Sequence, residues 1–193
     1  MRRLLCGMAF ALAAGSAAAD QQRPVRFLLG TGLTFGGDRL VTILYTDGET
    51  ENLRAGELYA INAGLEFRLA DNVSAQATIG YHADSSSYTS EGRVRFRRYP
   101  LELIGHFHVD DRWRVCGGLR FVNNIELTGK GVALANVQVD FKNAVGALVE
   151  VEYRAARNIG IKVRGVAEEY EAKGAFTGTA DANHLGLYVN FYF

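Results

Sequence analysis

The chain ends Leu185-Gly186-Leu187-Tyr188-Val189-Asn190-Phe191-Tyr192-Phe193, and this stretch decides how the rest is read. Leu185, Leu187, Val189, Phe191 and Phe193 fall on every second position, so in a β-strand they share one face. Gly186, Tyr188, Asn190 and Tyr192 form the other, which is small or polar. An oily face against a wet one, with no turn residue between, is a pattern that can be sought upstream.

It recurs along the chain, predicting strands at 25–35, 58–69, 73–82, 94–109, 113–122, 138–154, 159–170 and 184–193. One register holds Leu29, Leu33, Ile61, Leu65, Ile79, Leu101, Leu103, Val115, Leu119, Val149, Val151, Ile161 and Val163 with their alternates. Of its 42 positions 38 are apolar, the exceptions being Thr31, Gly105, Gly117 and Gly165. The opposite register carries Arg26, Glu66, Arg68, Glu102, His106, Arg114, Arg120, Glu150, Glu152, Lys162 and Arg164 among glycines. A slip of one residue would exchange the faces, so register is strongly specified.

Connections alternate as well. Those at 70–72, 109–112 and 155–158 are tight, whereas 36–57, 83–93, 123–137 and 171–183 are long. Asp47-Gly48 between two alternating runs predicts a hairpin within the first long link. Together these features predict an all-β fold, an eight-stranded antiparallel up-and-down transmembrane β-barrel. Phe67, Phe107, Trp113 and Tyr153 fall near the tight turns and Phe35, Tyr59, Tyr81 and Phe121 toward the long loops, where aromatic girdles belong.

Composition agrees once the N-terminus is set aside. Residues 1–19, MRRLLCGMAFALAAGSAAA, have a basic start, an apolar centre and a small-residue end, and read as a cleaved signal peptide. The barrel domain is then 20–193. Of 21 basic and 21 acidic residues, the leader removes Arg2 and Arg3, leaving 19 − 21 = −2. That balance argues against a nucleic-acid partner, whose site needs clustered excess Lys and Arg.

A soluble eight-stranded barrel would show the same alternation with the oily face inward. So narrow a lumen has little room for the aromatics, which fit better outside. The charged register can also neutralise itself. Pairing about the turn at 155–158 sets Glu152 opposite Lys162 and Glu150 opposite Arg164; pairing about 109–112 sets Glu102 opposite Arg120. Glu66, Arg68, Glu102, Arg114, Arg120, Glu150, Glu152, Lys162 and Arg164 are therefore expected to form a charge network that plugs the lumen.

The leader, the alternating segments and the terminal Leu187, Val189, Phe191 and Phe193 resemble the small outer-membrane barrels of the OmpA/OmpX type. The resemblance spans the mature chain and implies a bacterial outer-membrane location, in contact with outer-membrane lipid and lipopolysaccharide. It also implies that those four residues act as the signal read by the barrel assembly machinery. It says little about activity, because that superfamily holds adhesins, structural anchors and enzymes.

Such barrels include lipid A-modifying enzymes, whose deacylase type needs a Ser nucleophile, a His base and an acidic orienter. The His-x-Ser sequence of the deacylases is absent; His82, Asp84 and Ser85 to Ser87 cluster at one strand end, and Asp181 and His184 in the last loop. Neither group unites a nucleophile with an oriented base, and both read as loop polarity. His106, His108 and Cys116 could approach one another, but such a set reads as packing rather than a metal centre. No catalytic residue, metal or cofactor is assigned. The expected role is structural or interactive, with the long loops meeting an extracellular ligand; a lipid A-modifying enzyme or a narrow small-solute pore is the alternative.

Overall fold

The computed structural model describes residues 24–44, 50–85, 92–131, 138–174 and 178–193. The leader and the turn at Asp47-Gly48 lie outside them. Thirteen strands are present among the described residues: β1 Val25–Gly36, β2 Arg39–Leu44, β3 Thr50–Arg54, β4 Leu58–Ala70, β5 Val73–Ser85, β6 Gly92–His108, β7 Trp113–Gly131, β8 Gln138–Asp140, β9 Ala144–Ala156, β10 Ile159–Ala167, β11 Glu169–Glu171, β12 Thr179–Asp181 and β13 His184–Tyr192.

Eight of these close into the barrel in the order β1-β4-β5-β6-β7-β9-β10-β13, every pairing antiparallel. The seam joins β1 to β13, from Leu28 opposite Tyr192 to Gly36 opposite His184. The apolar register faces out along its length: Leu29, Leu65, Ile79, Leu103, Val149 and Leu187 are all exposed. Most of the opposite row is buried, Leu28, Glu66, Thr78, Glu102, Ile104, Leu148, Glu150 and Tyr188 among it. Trp113 stacks on Tyr153 at 4.9 Å across the tight-turn end, and Tyr81 meets Tyr99 at 5.4 Å toward the loops.

Both ends of the described chain lie at the tight-turn rim, where the amide of Phe193 donates to the carbonyl of Phe27 and that of Arg68 to the carbonyl of Pro24, each at 2.9 Å. There Asp110 caps its turn by accepting from the amides of Arg112 and Trp113, both at 2.7 Å, and these bonds hold its carboxyl below its ordinary value.

The loop end departs from the simple reading. The segment read as one strand over 138–154 is two, β8 and β9, while β7 runs nine residues beyond Val122. The cause is a bulge. Arg97 pairs with Glu126 and Tyr99 with Asn123, so two residues of β7 oppose Arg98 alone, and Asn124 takes a positive φ of 48°. Beyond it Ile125 and Leu127 point inward with Val94 and Phe96 of β6. The apolar face has changed sides. With Leu53 of β3, Val139, Phe141, Tyr170 and Ala182 these residues form a buried cluster above the barrel, centred on Phe96, Phe141 and Tyr170, whose rings lie 5.8–6.3 Å apart. The β2–β3 and β11–β12 pairs complete this cap.

Candidate functional site

The interior below the cap is polar. Cross-strand register brings Glu152 opposite Lys162, Glu150 opposite Arg164 and Glu102 opposite Arg120, all on inward positions. Their carboxylates and cations link end to end. Starting from the tight-turn rim, Arg26 pairs with Glu66. Glu66 takes Arg114 at 2.8 Å, Arg114 takes Glu152 at 2.6 Å, and Lys162 lies 3.5 Å from Glu152 and 3.1 Å from Glu150. Arg164 pairs with Glu150 and reaches Glu102 at 2.9 Å; Glu102 takes Arg120 at 2.7 Å, and Arg120 reaches Glu168 at 3.0 Å.

Each member of this ladder is buried. Tyrosines from β13 pack along it. The Tyr192 hydroxyl lies 3.0 Å from each oxygen of Glu152 and accepts from Arg114 at 2.7 Å, while the Arg164 guanidinium lies 4.5 Å over the Tyr188 ring. Ion pairs in such a place need several partners each, because desolvation of a lone charge costs several kcal/mol.

Eight of the nine expected residues therefore share this interior. Arg68 does not: it is exposed at the rim and donates to the carbonyl of Asp71 at 2.6 Å, one strand position past the last buried site of β4. Arg26, Arg98 and Glu168 also belong to this interior, beyond the nine expected. Counting alternate positions from Glu66, Glu102 and Lys162 would have found the last two, since Arg98 and Glu168 keep the inward parity of their strands. Leu187, Val189 and Phe191 sit on the outward row of β13, and Phe193, exposed, follows its last residue.

Where lumen and cap meet, Arg98 is fully buried under the Phe96 and Tyr170 rings, 5.1 and 5.7 Å away, and donates to the Ala55 carbonyl and to His82. His82 also bonds the Thr34 hydroxyl at 2.8 Å and sits edge-on to His184, 5.4 Å between centroids. Reading His82 and His184 as loop polarity is thus corrected: both are buried, because their even positions face inward at the top of the barrel. Asp84 accepts instead from the Arg54 amide at 3.3 Å, and Asp181 from the Asn183 amide at 2.7 Å. Ser86 and Ser87 lie outside the described residues.

Cys116 faces His106 as register requires, Sγ to Nδ1 at 3.1 Å, whereas His108 turns to the Ser74 hydroxyl at 2.9 Å. Among the described residues no group of three His, Cys, Asp or Glu side chains is placed to hold a metal.

Known proteins share this architecture. The family model described as outer membrane protein beta-barrel domain matches residues 6–193. The crystal structure of Ail, the attachment invasion locus protein of Yersinia pestis, in complex with the heparin analogue sucrose octasulfate, superposes with a TM-score of 0.58 at 9% identity, over 88% of this chain and 97% of that one. Neisserial surface protein A (NspA) superposes with a TM-score of 0.57 at 8% identity, over 89% of this chain and 98% of that one. At such identities the likeness is one of fold. No curated protein matches the chain.

Proposed function

The chain belongs to the outer membrane protein beta-barrel domain family and resides in the bacterial outer membrane, and from that premise we propose that it is a closed surface protein: a plugged barrel that presents a folded extracellular cap to a partner. The observation that carries this is the apolar cap seated on a charge-filled lumen. A solute would have to displace both the buried ion pairs and the cluster around Phe96. Eight strands leave little width besides.

Purified protein in planar bilayers should therefore show no unit conductance above the lipid background across the physiological voltage range. Steady ion-selective steps would sink the plug and restore the pore.

The cap supplies the surface for interaction. Its first long link holds Asp38, Asp47, Glu49, Glu51 and Glu57 against Arg39 and Arg54, a net of 2 − 5 = −3. That sign disfavours polyanions, so the sulfated sugar held by Ail is a poor guide to this partner. Replacing 39–54 by an Asn-Gly turn should leave the barrel assembled in cells while removing the surface crosslinks that the parent protein makes. Crosslinks that persist would mean that the hairpin is not the contact.

A further inference from the structure

A groove opens on the outer wall at the base of the cap, where Ile125 and Phe141 of the cap cluster form part of its floor. It encloses about 470 Å³ and is lined by Arg97, Tyr99, Asn124, Glu126, Asp140 and Lys173, among others. We propose that it holds the sugar of an outer-leaflet glycolipid.

Position comes first. Tyr99 is exposed on the lipid-facing row and packs on Tyr81 in the loop-side girdle, so the groove opens sideways at the level where headgroups lie. A ligand reaching it from the bilayer is already concentrated there. The bulge makes the space. Ile125 turns into the cap, the strand pair parts around Arg98, and Asn124 is held in the left-handed region at φ 48°. Among the described residues it is the only non-glycine with positive φ, and strain of this kind gathers at binding sites.

Chemistry selects the occupant. Glu126 already neutralises Arg97 through two bonds at 3.0 and 2.6 Å, which fixes the guanidinium at one lip. On the other lip the Lys173 amide donates to the Asp140 carbonyl at 2.8 Å, tying those two residues together. The lining thus offers two cations, two carboxylates and the amides of Asn124 and Asn143. A phosphate standing alone would meet both carboxylates. A polyol uses donors and acceptors together, and its apolar face can lie on the Tyr99 ring.

None of the lining residues belongs to 39–54, so this inference and the cap reading can fail separately. The full chain in phosphatidylcholine nanodiscs would be titrated with lipopolysaccharide and, in parallel, with its deacylated oligosaccharide, following the amide signals of Asn124 and Lys173. Lipopolysaccharide should shift both signals. Tyr99→Ala and Asp140→Ala should each weaken binding roughly tenfold, the size expected for one lost buried contact, while keeping the folded mobility of an unheated sample. The free oligosaccharide should bind at least tenfold more weakly, since it lacks the tether that holds it at the wall. Unchanged affinity in both variants would overturn the site. Equal binding of the free oligosaccharide would overturn the glycolipid as its source.

Discussion

Glu150→Gln should lower the stability of the barrel by about 3–5 kcal/mol, the usual consequence of breaking a buried ion pair from one side. Glu150 serves two cations, Lys162 at 3.1 Å and Arg164, and all three side chains are 2% exposed or less. Glutamine keeps the volume, so no cavity confuses the result. What is lost is charge. Arg164 retains only Glu102 at 2.9 Å, a carboxylate it shares with Arg120, whose other partner is Glu168 at 3.0 Å. Adding Arg164→Met to Glu150→Gln should recover part of the loss, because Lys162 still has Glu152 at 3.5 Å. Reversible denaturant unfolding in lipid vesicles reads both variants. A loss below about 1 kcal/mol, the size of an exposed pair, would mean that the lumen is hydrated, and the case for a closed barrel would weaken with it.

The sequence was informative where the chain obeys a period of two. Alternation in β13 and its counterparts settled the barrel, its outward face and the partners of Glu150, Glu152 and Glu102, since register follows from parity and a tight turn. It failed where parity breaks. Parity alone does not reveal the bulge at Asn123-Asn124 that turns Ile125 and Leu127 inward, because the bulge answers to packing between β6 and β7 and the distant Phe141 and Tyr170. On β6 Val94 and Phe96 keep the inward parity of Arg98 and Glu102, and only the apolar residues change rows. The cap was therefore invisible, and the long links looked like solvated loops. Arg68 failed for the opposite reason. Its parity is inward, but it stands beside the first tight turn, where the wall ends and the side chain reaches solvent.

Phe96→Ala tests whether that hidden cap is one cooperative unit. The ring is fully buried, edge-on to Phe141 at 5.8 Å, tilted on Tyr170 at 6.0 Å and stacked over the Arg98 guanidinium at 5.1 Å. Truncating such a residue costs about 3–5 kcal/mol, since the lost contacts leave a cavity. The cost should fall on the cap, because the ladder from Arg26 to Glu168 makes its ion pairs without Phe96. Local opening should rise roughly a hundredfold or more, seen as faster cleavage by an external protease within the cap while the barrel keeps its folded mobility. Cleavage at the parental rate would mean that the cap does not open as a unit. Conductance adds a second reading of the same variant. With the ion-pair ladder intact Phe96→Ala should stay silent in planar bilayers, whereas steps appearing with the cap loosened would assign closure to the cap alone and leave the charges below it as the lining of a gated path.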